Sequence, residues 1–198
     1  MRKAVVWAML AGFTSLVAIA VAAWFMRPDP LPPLSKADRA GLVETTVGGE
    51  RWLAHPTLGF KFKHPGGTFA ESSEMLASMC AAQPDKALHF YAFRNADQSA
   101  AIMITMATEA VRSREHMARQ LVELKRAMPG FNVVTESVLW DASFREARFH
   151  ATTEGDLHHH MRLVAMTPKG HAPVLLGIMT TTFEPDELAA VLASFTPP

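Results

Sequence analysis

Nine of the 198 residues are histidines, and four of them fall within eleven positions, His150 and the run His158-His159-His160. Imidazole ligates transition metals and changes its charge between about pH 5 and 8, so such a cluster has two chemistries open to it. The alternation of residues around it predicts a β-hairpin. If Ala147, Phe149 and Ala151 face a core, Leu157, Met161 and Leu163 on the next strand should face it too. A turn centred on Gly155 then sets His150 opposite His160, with His158 diagonal to His150. Opposed side chains on neighbouring strands stand about 4.5–5.5 Å apart at Cβ, close enough to share an ion. His150, His158 and His160 are therefore a candidate site for Zn²⁺ or Cu²⁺. His159 points inward in this register and does not join them. The competing reading is a polar sheet face, solvated or packed beneath a helix. Glu146, Arg148 and Arg162 share that face and suit it. Adjacent imidazoles also repel one another when protonated, which makes the cluster a possible pH sensor.

Other chemistry is sparse. His64, His89, His116 and His171 are scattered, and no serine or cysteine can be matched with a partnered histidine and acid. The patterns G-x-S-x-G, H-E-x-x-H, Walker A, G-x-G-x-x-G and EF-hand do not occur. No catalytic residues are assigned, and no cofactor is expected beyond a metal at the histidine cluster. The doublets Gly48-Gly49 and Gly66-Gly67 lack a following Lys-Ser/Thr and read as turns. A single cysteine, Cys80, excludes an internal disulfide, a cysteine zinc cluster and a CxxC redox pair. It is expected to be a small buried hydrophobe.

The elements that must position these residues begin after an unusual amino terminus. Ala4 to Met26 carry no charged side chain, and Arg2 and Lys3 precede them. As a helix those residues would rise about 34 Å, enough to span a hydrocarbon core of about 30 Å. Trp7 and Trp24 sit near the ends, where indole favours the interface. Residues 1–26 are thus expected to be a signal-anchor transmembrane helix with its positive end cytoplasmic. A cleaved signal peptide, cut after Ala20 or Ala22, is the alternative and exports the rest equally well. Residues 27–39 read as a Pro-rich linker, with Pro28, Pro30, Pro32 and Pro33 favouring extended geometry. Residues 40–198 form the exported domain. A bacterial inner membrane, with the domain in the periplasm, is the expected location.

From Ala40 onward there are 14 Lys/Arg and 17 Asp/Glu, a formal charge of −3 with no basic run. Nucleic-acid binding is not expected on that balance, nor attachment to anionic lipid by a basic patch. Strands are predicted at Glu50 to Ala54, Leu58 to Lys63, Ala87 to Phe93, Ala101 to Thr108, Asn132 to Trp140, Phe144 to Ala151, Leu157 to Met166 and Pro173 to Thr182. Helices are predicted over Glu71 to Ala82, after an N-cap at Ser113, and after Pro185. Met117, Leu121, Leu124 and Met128 form the apolar stripe of the middle helix, and Leu188, Val191, Leu192 and Phe195 the inner face of the last. Short connections between strands call for an antiparallel sheet flanked by helices, an α+β domain.

Two segments add a resemblance. His55-Pro56-Thr57-Leu58-Gly59-Phe60-Lys61-Phe62-Lys63-His64-Pro65-Gly66 resembles the Leu-Gly-Phe opening of PsbP-like domains, the superfamily that also holds the DcrB and LpqN-type bacterial exported proteins. Leu192-Ala193-Ser194-Phe195 resembles the end of their final helix. The resemblance spans about residues 45–198 and implies an α/β/α sandwich with a central antiparallel sheet. It also implies a non-enzymatic accessory or binding module, with no family active-site residues to carry over. The sequence thus points to a membrane-anchored extracytoplasmic module with an envelope protein as partner. A metal-binding envelope protein is the second reading, and an unrecognised enzyme the third.

Overall fold

The structure is a computed structural model that describes residues 31–198, apart from residues 68, 82–87, 129, 142–144, 154–155 and 185. The uncharged run Ala4–Met26, the first part of the Pro-rich segment and the turn at Gly155 lie outside the described residues. Among the described residues, no helix is long and apolar enough to cross a membrane.

The strands are β1 (Val43–Val47), β2 (Glu50–Ala54), β3 (Lys61–Lys63), β4 (Ala70–Glu71), β5 (His89–Arg94), β6 (Ala100–Thr108), β7 (Asn132–Trp140), β8 (Arg145–Thr153), β9 (Leu157–Met166) and β10 (Val174–Thr182). The helices are α1 (Ser73–Ala81), α2 (Arg114–Ala127) and α3 (Ala189–Ser194). Seven strands make one antiparallel sheet in the order β4-β5-β6-β10-β9-β8-β7, and β1-β2-β3 make a small second sheet. The fold is the expected α+β class.

Strand β6 is apolar on both alternating sets because both faces of the large sheet are covered. One set, Ala101, Met103 and Ala107, joins a core with Met75 and Met79 of α1 and the Met117, Leu121, Leu124 and Met128 stripe of α2. Helix α2 starts where the sequence says it should. The Ser113 side chain accepts a hydrogen bond from the His116 amide at 3.1 Å, Glu115 lies in the first turn, and Lys125 and Arg126 lie in the last. The other set, Ile102, Ile104 and Met106, packs with Leu53, Leu58, Phe60, Phe62, Leu188, Val191, Leu192 and Phe195. This second layer combines the small sheet with the six-residue α3, where an α/β/α sandwich would have helices alone.

The Leu-Gly-Phe segment ties that layer together. Leu58 and Phe60 are fully buried, and between them Gly59 takes φ +76° with the Pro198 side chain against it. The backbone there is a turn, so the strand expected from Leu58 is confined to Lys61–Lys63. Phe62 continues the buried face, and Lys61 pairs with Thr196 at the chain end.

Three further departures have physical causes. Residues 34–39, read from the sequence as the end of a linker, are packed against the domain. Leu34 is buried in the second core, Thr57 Oγ1 donates to the Ala37 carbonyl, and Tyr91 Oη donates to the Ala40 carbonyl. The last helix begins at Ala189, because side-chain hydrogen bonds hold the preceding residues in a bend. Glu184 N donates to Thr182 Oγ1, which in turn donates to Glu187 Oε2. Cys80 is exposed, which corrects the expectation of a buried thiol. Met75 and Met79 turn toward the sheet, and one position past Met79 the helix has rotated about 100° away.

Candidate functional site

Strands β8 and β9 pair in the expected register, with His150 opposite His160. Successive pairings across β7, β8, β9 and β10 then set four-residue rows on the α3 side of the sheet. One row is Thr135, His150, His160 and Thr180, and the next is Ser137, Arg148, Arg162 and Ile178. His158 pairs with Thr152 on one side and Thr182 on the other. The register of β7 depends on an irregularity between Val133 and Thr135, which brings the Thr135 and Ser137 hydroxyls to this face.

The three candidate ligands are together, in a particular arrangement. His150 Nε2 and His158 Nδ1 are 3.0 Å apart, and their ring centres are 5.3 Å apart, as far as that contact and two ring radii allow. The two nitrogens therefore point at each other, one ring donating and the other accepting. His160 stacks on His150, with centres 4.1 Å apart and planes 7° from parallel. Imidazole lone pairs lie in the ring plane, so two parallel stacked rings do not converge on one ion. Among the described residues, no three His, Cys, Asp or Glu side chains stand ready to hold a metal. Burial and the neighbouring His158 hold the His150 pKa below its ordinary value.

His159 faces the other side, as its register requires, and is fully buried. Its ring lies between Thr153 Oγ1 at 3.0 Å and Thr181 Oγ1 at 3.1 Å, with Phe131 against it. Burial, then the charges of the neighbouring histidines, push its pKa down to about 3, so it stays neutral.

Beside the histidines sits a buried ionic group. The Glu146 carboxylate is 2% exposed and accepts from Arg162 Nε at 3.1 Å and from Arg162 Nη2. Its other oxygen pairs with Arg148. Arg162 Nη1 donates to the Leu192 carbonyl of α3, and the guanidinium lies over the Phe195 ring. This cation fastens α3 to the sheet. Between α3 and β7–β8 a groove of about 340 Å³ remains, floored by Thr135, Ser137, Arg148, His150, His160 and Arg162 and walled by Ala189, Leu192 and Ala193.

A second polar group lies at the packed amino-terminal segment. The Asp38 carboxylate takes a 2.7 Å contact from His171 Nδ1, and His55 Nε2 lies 3.2 Å from the Asp38 carbonyl. The His89 ring stands edge-on to Tyr91, with centres 4.7 Å apart, and burial pushes its pKa down to about 4.

Sequence reasoning placed the histidines and put Glu146, Arg148 and Arg162 on their face. It missed the hydroxyls of Thr135 and Ser137, whose side of β7 depends on a bulge that no residue type announces. It also left open whether a helix covers this face, and α3 covers part of it.

No family model matches the chain, and no curated protein matches it in sequence. Solved structures do resemble it. The solution structure of cyanobacterial PsbP from Synechocystis superposes with a TM-score of 0.52 at 12% identity, covering 86% of this chain and 100% of that one. LpqN of Mycobacterium tuberculosis, described as involved in cell envelope biogenesis, gives 0.42 at 13% identity over 85% of this chain and 100% of that one. A mutant of the protein Mog1 gives 0.41 at 8% identity over 80% and 96%. The likeness to PsbP is one of fold, and the expected PsbP-like architecture is present.

Proposed function

We propose that the chain is a membrane-anchored accessory module of the bacterial envelope, without catalysis of its own, that binds a protein or ligand outside the cytoplasm. The observation that carries this reading is the order of parts in the sequence. A positively flanked run of 23 uncharged residues precedes a Pro-rich segment and then a folded α+β domain. The domains proposed are an anchor at 1–26, a linker at 27–39 whose end, from Leu34, packs against the domain, and an extracytoplasmic domain at 40–198. The absence of any recognised catalytic pattern supports a binding role over an enzymatic one.

In-cell crosslinking tests this reading. A photoreactive residue at Ser137, on the groove, is compared with one at Arg126, exposed on α2 at the opposite face of the sheet. The module predicts adducts with an envelope protein or envelope ligand that depend on the Ser137 position. Adducts with cytosolic proteins, or the same adducts from both positions, contradict it.

A second reading is a metal-binding role for His150, His158 and His160. The shared face and the His150–His160 pairing support it. It requires the His150–His158 hydrogen bond to open and the His160 ring to turn off its stack. Calorimetric titration of the full chain with Zn²⁺ or Cu²⁺, beside a His150→Ala/His160→Ala variant, decides it. Micromolar binding lost in the variant supports the site, and equal weak heats in both end it.

A further inference from the structure

The groove under α3 has more cations than anions. Glu146, buried next to the groove, serves both floor cations, Arg148 and Arg162. All three Arg162 guanidinium nitrogens are engaged: Nε and Nη2 go to Glu146, Nη1 goes to the Leu192 carbonyl, and its face lies on Phe195. Arg148 differs. Its side chain is 49% exposed, its contact with Glu146 is made through Nη2, and a guanidinium has five N–H donors. Glu136 also borders the groove, but its carboxylate is bonded by Lys125 from α2. Helix α3, Ala189–Ser194, brings no charge to the wall. The floor therefore holds one positive charge in excess. The Thr135 and Ser137 hydroxyls and the His150 and His160 rings flank it.

Shape and surface narrow the ligand further. About 340 Å³ lies at the small end of ligand pockets, roughly 300–1,000 Å³. One wall is apolar, made by Ala189, Leu192 and Ala193, while the floor is polar and cationic. A single excess charge matches a monoanion, and a half-exposed guanidinium matches the two oxygens of a carboxylate. Resting on the reading of the domain as a binding module, we propose that this groove binds a small organic carboxylate, its anionic group on Arg148 and its apolar part against α3. The His150–His160 row lies beside Arg148, at the anionic end of the ligand.

The test uses the full chain in a non-ionic detergent, with benzoate as the probe and benzamide, its neutral counterpart, and inorganic phosphate as comparisons. The readout is the imidazole ring resonances of His150 and His160 by NMR. The proposal expects saturable shifts with benzoate and none with benzamide. It expects affinity to fall by roughly tenfold in Arg148→Gln, the worth of one charge-assisted hydrogen bond. Ala189→Glu is the second variant, since Ala189 is exposed and its change should leave the fold intact while placing a carboxylate at the groove. It too should weaken benzoate, even if Arg148→Gln proves unstable. Equal shifts with benzamide, no saturable shift with benzoate, or phosphate binding as tightly as benzoate each overturn the assignment. The crosslinking result at Ser137 is read separately, so failure here leaves the module reading to its own test.

Discussion

Glu146 and Arg162 stand one row apart on adjacent strands, both almost fully buried, and Arg162 grips the Glu146 carboxylate through Nε and Nη2. The same guanidinium reaches the Leu192 carbonyl, so one buried pair joins β8, β9 and α3. Breaking a buried pair by removing one partner leaves an uncompensated charge, which costs about 3–5 kcal/mol. Glu146→Gln should lower unfolding free energy by about that amount in urea titrations. Replacing the pair together, Glu146→Gln with Arg162→Met, should recover part of the loss. A single variant as stable as the parent would show that the pair is not what holds α3 down.

The buried histidines set a pH dependence. His159 and His89 are pushed down, to about 3 and about 4, mainly by burial, while an unfolded histidine titrates near 6.5. Below about pH 6.5 the unfolded chain takes up protons that the folded chain refuses, so stability falls as pH falls. The thermal midpoint should be level above about pH 7 and decline steadily from there toward about pH 4. His159→Gln, which keeps a hydrogen-bonding group between Thr153 and Thr181, should make that decline shallower. A midpoint flat from pH 8 to 5 would contradict the buried neutral ring.

The left-handed backbone at Gly59 should not tolerate a side chain. At φ +76° a β-carbon is strained, and it would lie 3.1 Å from the Pro198 Cβ. Gly59→Ala should cost about 1–2 kcal/mol, read from the urea midpoint. An unchanged midpoint would mean that the turn and the chain end adjust freely.

Cys80 is exposed on α1, away from the Met75 and Met79 stripe. A maleimide reagent should label it to completion in the native protein without denaturant. Labelling that waits for unfolding would place the thiol inside.

Much of the fold is legible in the residues because burial imposes a period. The Met117, Leu121, Leu124 and Met128 stripe fixed α2, and alternation over Ala147–Ala151 and Leu157–Leu163 fixed the hairpin register that joins His150 to His160. What was not legible lacks that signal. Strand β1 is exposed along its whole length, so no face of it alternates, and its place beside β2 follows from pairing. The start of α3 was hidden because Thr182, Glu184 and Glu187 bond locally, a competition that propensity does not weigh. The site was half readable. Residue types placed the imidazoles and the Glu146, Arg148 and Arg162 group on one face. Ring orientation, which decides between a metal cage and a hydrogen-bonded stack, depends on side-chain torsions that spacing does not specify.

The location of the domain is the claim on which the proposed role depends most directly. Alkaline phosphatase, which becomes active only outside the cytoplasm, fused after Pro198 of the full chain measures it in intact bacterial cells. The account predicts an active phosphatase in the membrane or envelope fraction. Full-length fusion protein that is inactive, together with an active β-galactosidase fusion at the same position, would contradict it.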